Sequence, residues 1–134
     1  MKRRYLLDVN ALVGLLWAVH SLHEQANGWF SREAPGVLGC AFTELSFIRV
    51  SMADKTIAAT FEDAEEAIAG FKSELGDRYH FVDRLPSSAI LRGGGVRSHK
   101  DVSDFYLCEL AARRRAHLAT LDIGIRLPAA ILIA

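Results

Sequence analysis

The sequence has 134 residues, with 16 Lys and Arg against 16 Asp and Glu, and is 51% hydrophobic and 24% charged, which fits one compact soluble domain spanning residues 1–134 and leaves no room for a second. A chain of this size removes roughly two-thirds of its surface from water on folding, so its core needs neither disulfides nor a structural metal. Zero net charge, with no block of five like charges, excludes a strongly basic nucleic-acid coat and an acidic tail.

Lys2-Arg3-Arg4 followed by apolar residues superficially suits a leader peptide, but Asp8 and Asn10 interrupt the stretch. The uninterrupted apolar run, residues 11–19, is less than half of the about 20 residues that a membrane span needs. No membrane association is expected. Residues 4–8 are instead a short apolar run without helical period, which predicts a strand buried on both faces. A helix follows over about residues 10–18. A second amphipathic helix is predicted over residues 20–33, where Leu22, Ala26, Trp29 and Phe30 recur at spacings of three and four. Pro35-Gly36 ends it, residues 37–41 read as another buried strand, and residues 43–53 as a helix offering Leu45, Phe47, Ile48 and Met52 for packing.

Thr60 with Asp63 predicts a capped helix start at Phe61, and Gly76 its end. Residues 80–83 are the next predicted strand. Pro86 opens a short predicted helix through residue 91, which Gly93-Gly94-Gly95 breaks. Ser103 is then expected to cap a long helix over residues 104–115, and two last strands fall at residues 117–121 and 130–133. Alternating strands and helices, with strands apolar on both faces, predict an α/β fold in three layers around a central, mainly parallel sheet of about five strands. Cys40 and Cys108 form no CxxC or zinc-type spacing and read as buried apolar residues of a reducing, cytoplasmic compartment.

Ligands of an open parallel sheet bind outside the carboxyl ends of its strands. Asp8 ends the first predicted strand, Glu44 lies just past the second, Asp122 follows the strand at residues 117–121, and Asp104 opens the helix feeding that strand. Each alone could cap a helix or shape a turn. Gathered at one edge, like charges about 4 Å apart repel by about 4 kcal/mol at an effective dielectric near 20, and the cluster calls for a cation. Oxygen-only ligation suits Mg²⁺ or Mn²⁺ rather than zinc. His20 and His23 lie three apart without a third ligand nearby, and Gly93 to Gly95 lacks the Lys-Ser/Thr of a phosphate-binding loop.

Leu6-Leu7-Asp8-Val9-Asn10-Ala11-Leu12, Thr43-Glu44-Leu45, Ser103-Asp104-Phe105-Tyr106-Leu107 and Leu118-Ala119-Thr120-Leu121-Asp122 together resemble the PIN-domain ribonucleases, especially the VapC-type toxins, over nearly the whole chain. The resemblance implies a PIN-like fold and a metal-dependent endoribonuclease of a toxin-antitoxin system. By it Asp8, Glu44, Asp104 and Asp122 are the catalytic and metal-holding quartet, with Asn10 and Thr120 as lesser polar neighbours. Ser103 stands where the family commonly has Thr, and Asp101 is a rival for Asp104. The implied chemistry is phosphodiester hydrolysis in which Mg²⁺ or Mn²⁺ activates water and steadies the leaving oxygen. The implied partners are an RNA substrate, a cognate VapB-type antitoxin and a second copy in a homodimer.

With four acids assigned to a site, 12 remain against 16 Lys and Arg, so the rest of the surface is mildly basic. Arg92, Arg97, His99 and Lys100 flank the glycine loop and are candidate RNA contacts. Arg113-Arg114-Arg115 suits either RNA or the end of its own helix. Three other readings fit the sequence less well. A haloacid-dehalogenase-type phosphatase needs an acid where Asn10 stands, a receiver-like Mg²⁺-binding domain needs a Lys beyond Lys100, and an inactive RNA- or protein-interaction domain gives no reason for an intact quartet.

Overall fold

The structure is a computed structural model that describes residues 3–122 and 130–133. Its strands are β1 (Arg4–Leu7), β2 (Gly36–Cys40), β3 (Tyr79–Val82), β4 (His117–Thr120) and β5 (Ala130–Leu132). The helices are α1 (Val9–Leu16), α2 (His23–Glu33), α3 (Ala41–Ala53), α4 (Phe61–Leu75) and α5 (Val102–Arg113). Among the described residues all four strand pairings are parallel, in the order β3-β2-β1-β4-β5. The three-layer α/β expectation holds, with an entirely parallel sheet.

Strand side chains alternate between faces, and each face has its own core. Tyr5, Leu7, Val37 and Ala119 point into the larger core with α1 to α4, where Ala11, Trp29, Phe47, Ile68 and Phe71 are buried. Leu6, Leu38, Cys40, Val82 and Leu118 point the other way, onto Leu107, Cys108, Leu110 and Ala111 of α5. This two-sided burial is why the strands carry no polar alternation. Each large apolar side chain so buried contributes about 1.5–3 kcal/mol. Both cysteines are buried in the α5 core, and no disulfide joins them.

The order of strands places the site. From β1 the chain steps outward through β2 to β3, and then α5 carries it back across the sheet to β4 on the other side of β1. The sheet order therefore reverses between β1 and β4, and the crevice at their carboxyl ends is the expected binding position. The Asp8 amide bonds the Ala119 carbonyl at 3.0 Å and so holds that junction closed.

Several local expectations need correction. Helix α5 begins at Val102, preceded by Asp101, and Ser103 lies within its first turn rather than capping it. The turn that bonds the Asp101 amide to the Ser98 carbonyl has already aimed the chain along the helix, and the Phe105 amide bonds Asp101. The segment opened by Pro86 is only a 3₁₀ turn at Ser88–Leu91, capped by the Ser87 hydroxyl. The Pro86 carbonyl is instead fixed by the Tyr106 hydroxyl at 2.6 Å. Leu22 precedes α2, and it is exposed, as are Leu45 and Met52, because the inner side of α3 is taken by Thr43, Phe47 and Ser51. His80 is exposed on edge strand β3. The Thr60 cap and the Gly76 terminus of α4 stand as expected.

Candidate functional site

Asp8 is the residue where β1 hands over to α1. It caps α1, its Oδ1 accepting the Ala11 amide at 2.7 Å, and only 4% of it is exposed. Burial pushes its carboxyl from 3.8 up to about 6. The Thr120 hydroxyl and the Ala11 N–H oppose that rise, while the charges of Asp104 and Asp122 add to it. Asp104, in the first turn of α5, is half-buried and also raised, by its own burial first and then by Asp122 and Asp101. Asp122 follows β4, and its amide is tied to the Thr120 Oγ1 at 2.9 Å. The structure thus brings Asp8, Asp104 and Asp122 into mutual electrostatic range at the reversal of the sheet.

A cleft of about 220 Å³ opens over this junction, walled by Asp8, Asn10, Ser46, Arg49, Ser103 and Asp104 among others. Ser103 therefore serves the cleft instead of the helix cap. Asn10 is exposed at its edge, and Thr120 is buried beneath.

Glu44 is placed differently from the expected quartet. Its Oε2 accepts the Tyr79 hydroxyl at 2.6 Å and pairs with Lys72 Nζ at 3.1 Å. The same Lys72 ammonium lies 5.5 Å and 5.6 Å from the Tyr79 and Phe81 ring centres. The Tyr79 phenol crosses directly over Gly39, where any Cβ would overlap it. Glu44 lines a second hollow, between α3 and α4. At about 100° per residue, the cleft-facing stripe of Phe42, Ser46 and Arg49 leaves Glu44 about half a turn away around α3.

Sequence reasoning missed Ser46 and Arg49. The only signal was their spacing along α3, and reading it requires the register of the helix. Of the expected RNA contacts, Arg92, Arg97, His99 and Lys100 are all exposed in the segment that leads into α5. His20 and His23 fasten a turn: His20 Nδ1 accepts the Leu22 amide and His23 Nδ1 bonds the Gly14 carbonyl.

The donor chemistry of the cleft fits a hard divalent cation. Burial and neighbouring acids disfavour the charged forms of Asp8 and Asp104, and a cation relieves both penalties. Among the described residues no three His, Cys, Asp or Glu side chains are already closed into a metal cage, so the acids would have to draw together on binding. Nor is any helix there long and apolar enough to cross a membrane.

No protein-family model matches the chain. Its relatives include three proteins of Mycobacterium tuberculosis. Ribonuclease VapC29 is 32% identical over 90% of this chain and 86% of its own length, and ribonuclease VapC38 is 34% identical over the same shares. Ribonuclease VapC44 is 33% identical over 94% of this chain and 91% of its own. A chain in the crystal structure of VapBC2 from Rickettsia felis, bound to a DNA fragment from their promoter, superposes with a TM-score of 0.62 at 17% identity, covering 96% of each chain, and so shares the fold. At this identity over nine-tenths of its length, with the matching parallel sheet beneath the acid cleft, the chain belongs to the VapC ribonuclease family.

Proposed function

We propose that this protein is the toxin of a toxin-antitoxin pair, a Mg²⁺- or Mn²⁺-dependent endoribonuclease acting in the cytoplasm. The observation that carries the reading is the convergence of Asp8, Asp104 and Asp122 at the sheet reversal, in a family of ribonucleases. These three would hold the cation, with Asp8 fixed by the α1 backbone, Asp104 by α5, and Asp122 through its amide by Thr120. Rigid elements thus present the carboxylates, which limits the reorganisation needed on binding. When bound, the cation supplies positive charge that polarises the phosphodiester and lowers the pKa of water. Thr120 favours the ionised form of Asp8, the form that a cation needs. The exposed Arg92, Arg97, His99 and Lys100, in the segment that leads into α5, would contact the flanking RNA backbone. Glu44 belongs to the site by resemblance, but its carboxylate is held by Tyr79 and Lys72. A VapB-type antitoxin and a homodimer are the partners that the family membership supports.

Purified protein incubated with total cellular RNA should cut it in Mg²⁺ or Mn²⁺ and leave it intact in EDTA. Cleavage that EDTA does not stop, or none by active-folded, antitoxin-free protein, would overturn the reading.

A further inference from the structure

Within the cleft that holds Asp8 and Asp104, Arg49 is the only cationic side chain in the lining among the described residues. It reaches the cleft from the middle of α3, on the same stripe as Phe42 and Ser46. Although it borders two carboxylates, it is exposed, and among the described residues its guanidinium makes no hydrogen bond or ion pair. An arginine that merely neutralised the acids would be paired with them, as Lys72 is with Glu44.

We propose that Arg49 binds a backbone phosphate of the RNA at the mouth of the acid cleft. This rests on the ribonuclease reading and adds to it a named substrate-binding residue. The chemistry asks for such a group. A phosphodiester entering a hollow walled by carboxylates meets like charge, and a bound cation offsets it only on the side of the acids. A guanidinium on the α3 wall of the same cleft offers two parallel N–H donors to the phosphate oxygens, a geometry that an ammonium cannot reproduce. Ser46, one helical turn before Arg49 on the same wall, and Ser103 beside Asp104 add hydroxyls to the same space. With no partner among the described residues, Arg49 breaks no contact with them in order to bind.

The test separates binding from catalysis. A fluorescein-labelled, mixed-sequence, single-stranded 20-nucleotide RNA is titrated with protein in EDTA, by anisotropy, across about 50–200 mM KCl. For single strands each phosphate contact contributes about 0.7 to the slope of log K against log salt. Arg49→Ala should lower the slope by about 0.7 and weaken binding several-fold at low salt, with an unchanged melting temperature. Arg49→Lys should keep the slope but not the full affinity. Lys55→Ala, which removes a charge six residues further on and outside the cleft lining, should leave the slope as in wild type. In Mg²⁺, Arg49→Ala should also lower kcat/KM on total RNA. If wild type binds and cuts RNA while Arg49→Ala keeps its slope and its kcat/KM, the proposal is overturned and the ribonuclease reading stands. Tighter Mg²⁺ binding by Arg49→Ala with an unchanged RNA slope would likewise overturn it, making Arg49 a counter-charge to the acids. Wild type that neither binds nor cuts RNA would remove both.

Discussion

Asp8 serves two purposes with one carboxyl. One oxygen completes the first turn of α1, and the buried group is also the innermost of the three acids. An unfolded chain releases the Asp8 proton near 3.8, whereas the native protein holds it up to about 6. Between those values the native state binds the extra proton, so stability falls as pH rises through the window and is lowest, in this respect, above it. The displacement corresponds to up to about 3 kcal/mol. Asp8→Asn keeps an acceptor for the Ala11 amide but has no charge to bury. In EDTA the variant should melt several degrees above wild type at pH 7.5, and the difference should vanish by about pH 4. Equal melting at both pH values would mean that Asp8 is not ionised within a buried site. The sequence made Asp8 legible because a lone acid between an apolar strand and an apolar helix has few other uses. Arg49 was not legible, since nothing in its neighbours distinguishes a cleft-facing arginine from a solvated one.

At the scale of an element, α3 decides what the site contains. The sequence set Glu44 just past a strand, which put it at the correct edge of the sheet but said nothing about which way it points. That direction depends on the register of the helix. Starting at Ala41, α3 turns Phe42, Ser46 and Arg49 toward the cleft and Glu44 toward Lys72 and Tyr79. Gly39 makes this arrangement possible by letting the Tyr79 phenol pass over β2. Glu44→Gln should therefore cost about 1 kcal/mol of stability, through the weakened bonds to Tyr79 and Lys72. Its Mg²⁺-induced rise in melting temperature should match that of wild type. Loss of the Mg²⁺ response in this variant would return Glu44 to the cation-holding set and require the Tyr79 and Lys72 bonds to open. The start of α5 was misplaced for a related reason: a serine before an acid is a good cap by type, but the preceding turn at Ser98 to Asp101 had already set the helix.

For the whole molecule, apolar strands separated by helices were enough to read a parallel sheet, because only a sheet covered on both faces tolerates them. The strand order was not in that pattern; it follows from the crossover of α5, and it is the order that brings the ends of β1 and β4 together with the start of α5. Three elements thus each deliver one acid to the reversal point, at a cost in repulsion that the cation-free fold must absorb. A ligand that binds only the native state adds stability of RT ln(1 + [L]/Kd), about 2.7 kcal/mol at roughly 100 times Kd. For a domain of this size that corresponds to a rise of roughly 5–15 °C in melting temperature. Wild type titrated with Mg²⁺ should show such a rise, reversed by EDTA. Asp104→Asn removes one of the repelling charges, so its EDTA melting temperature should equal or exceed that of wild type while its Mg²⁺ response collapses. Asp101→Asn also removes a charge that Asp104 feels, but from a side chain that accepts the Arg97 amide, and it should keep the Mg²⁺ response. A full response in Asp104→Asn together with its loss in Asp101→Asn would transfer the ligand role to Asp101, and a wild type indifferent to Mg²⁺ would leave the three acids without their cation.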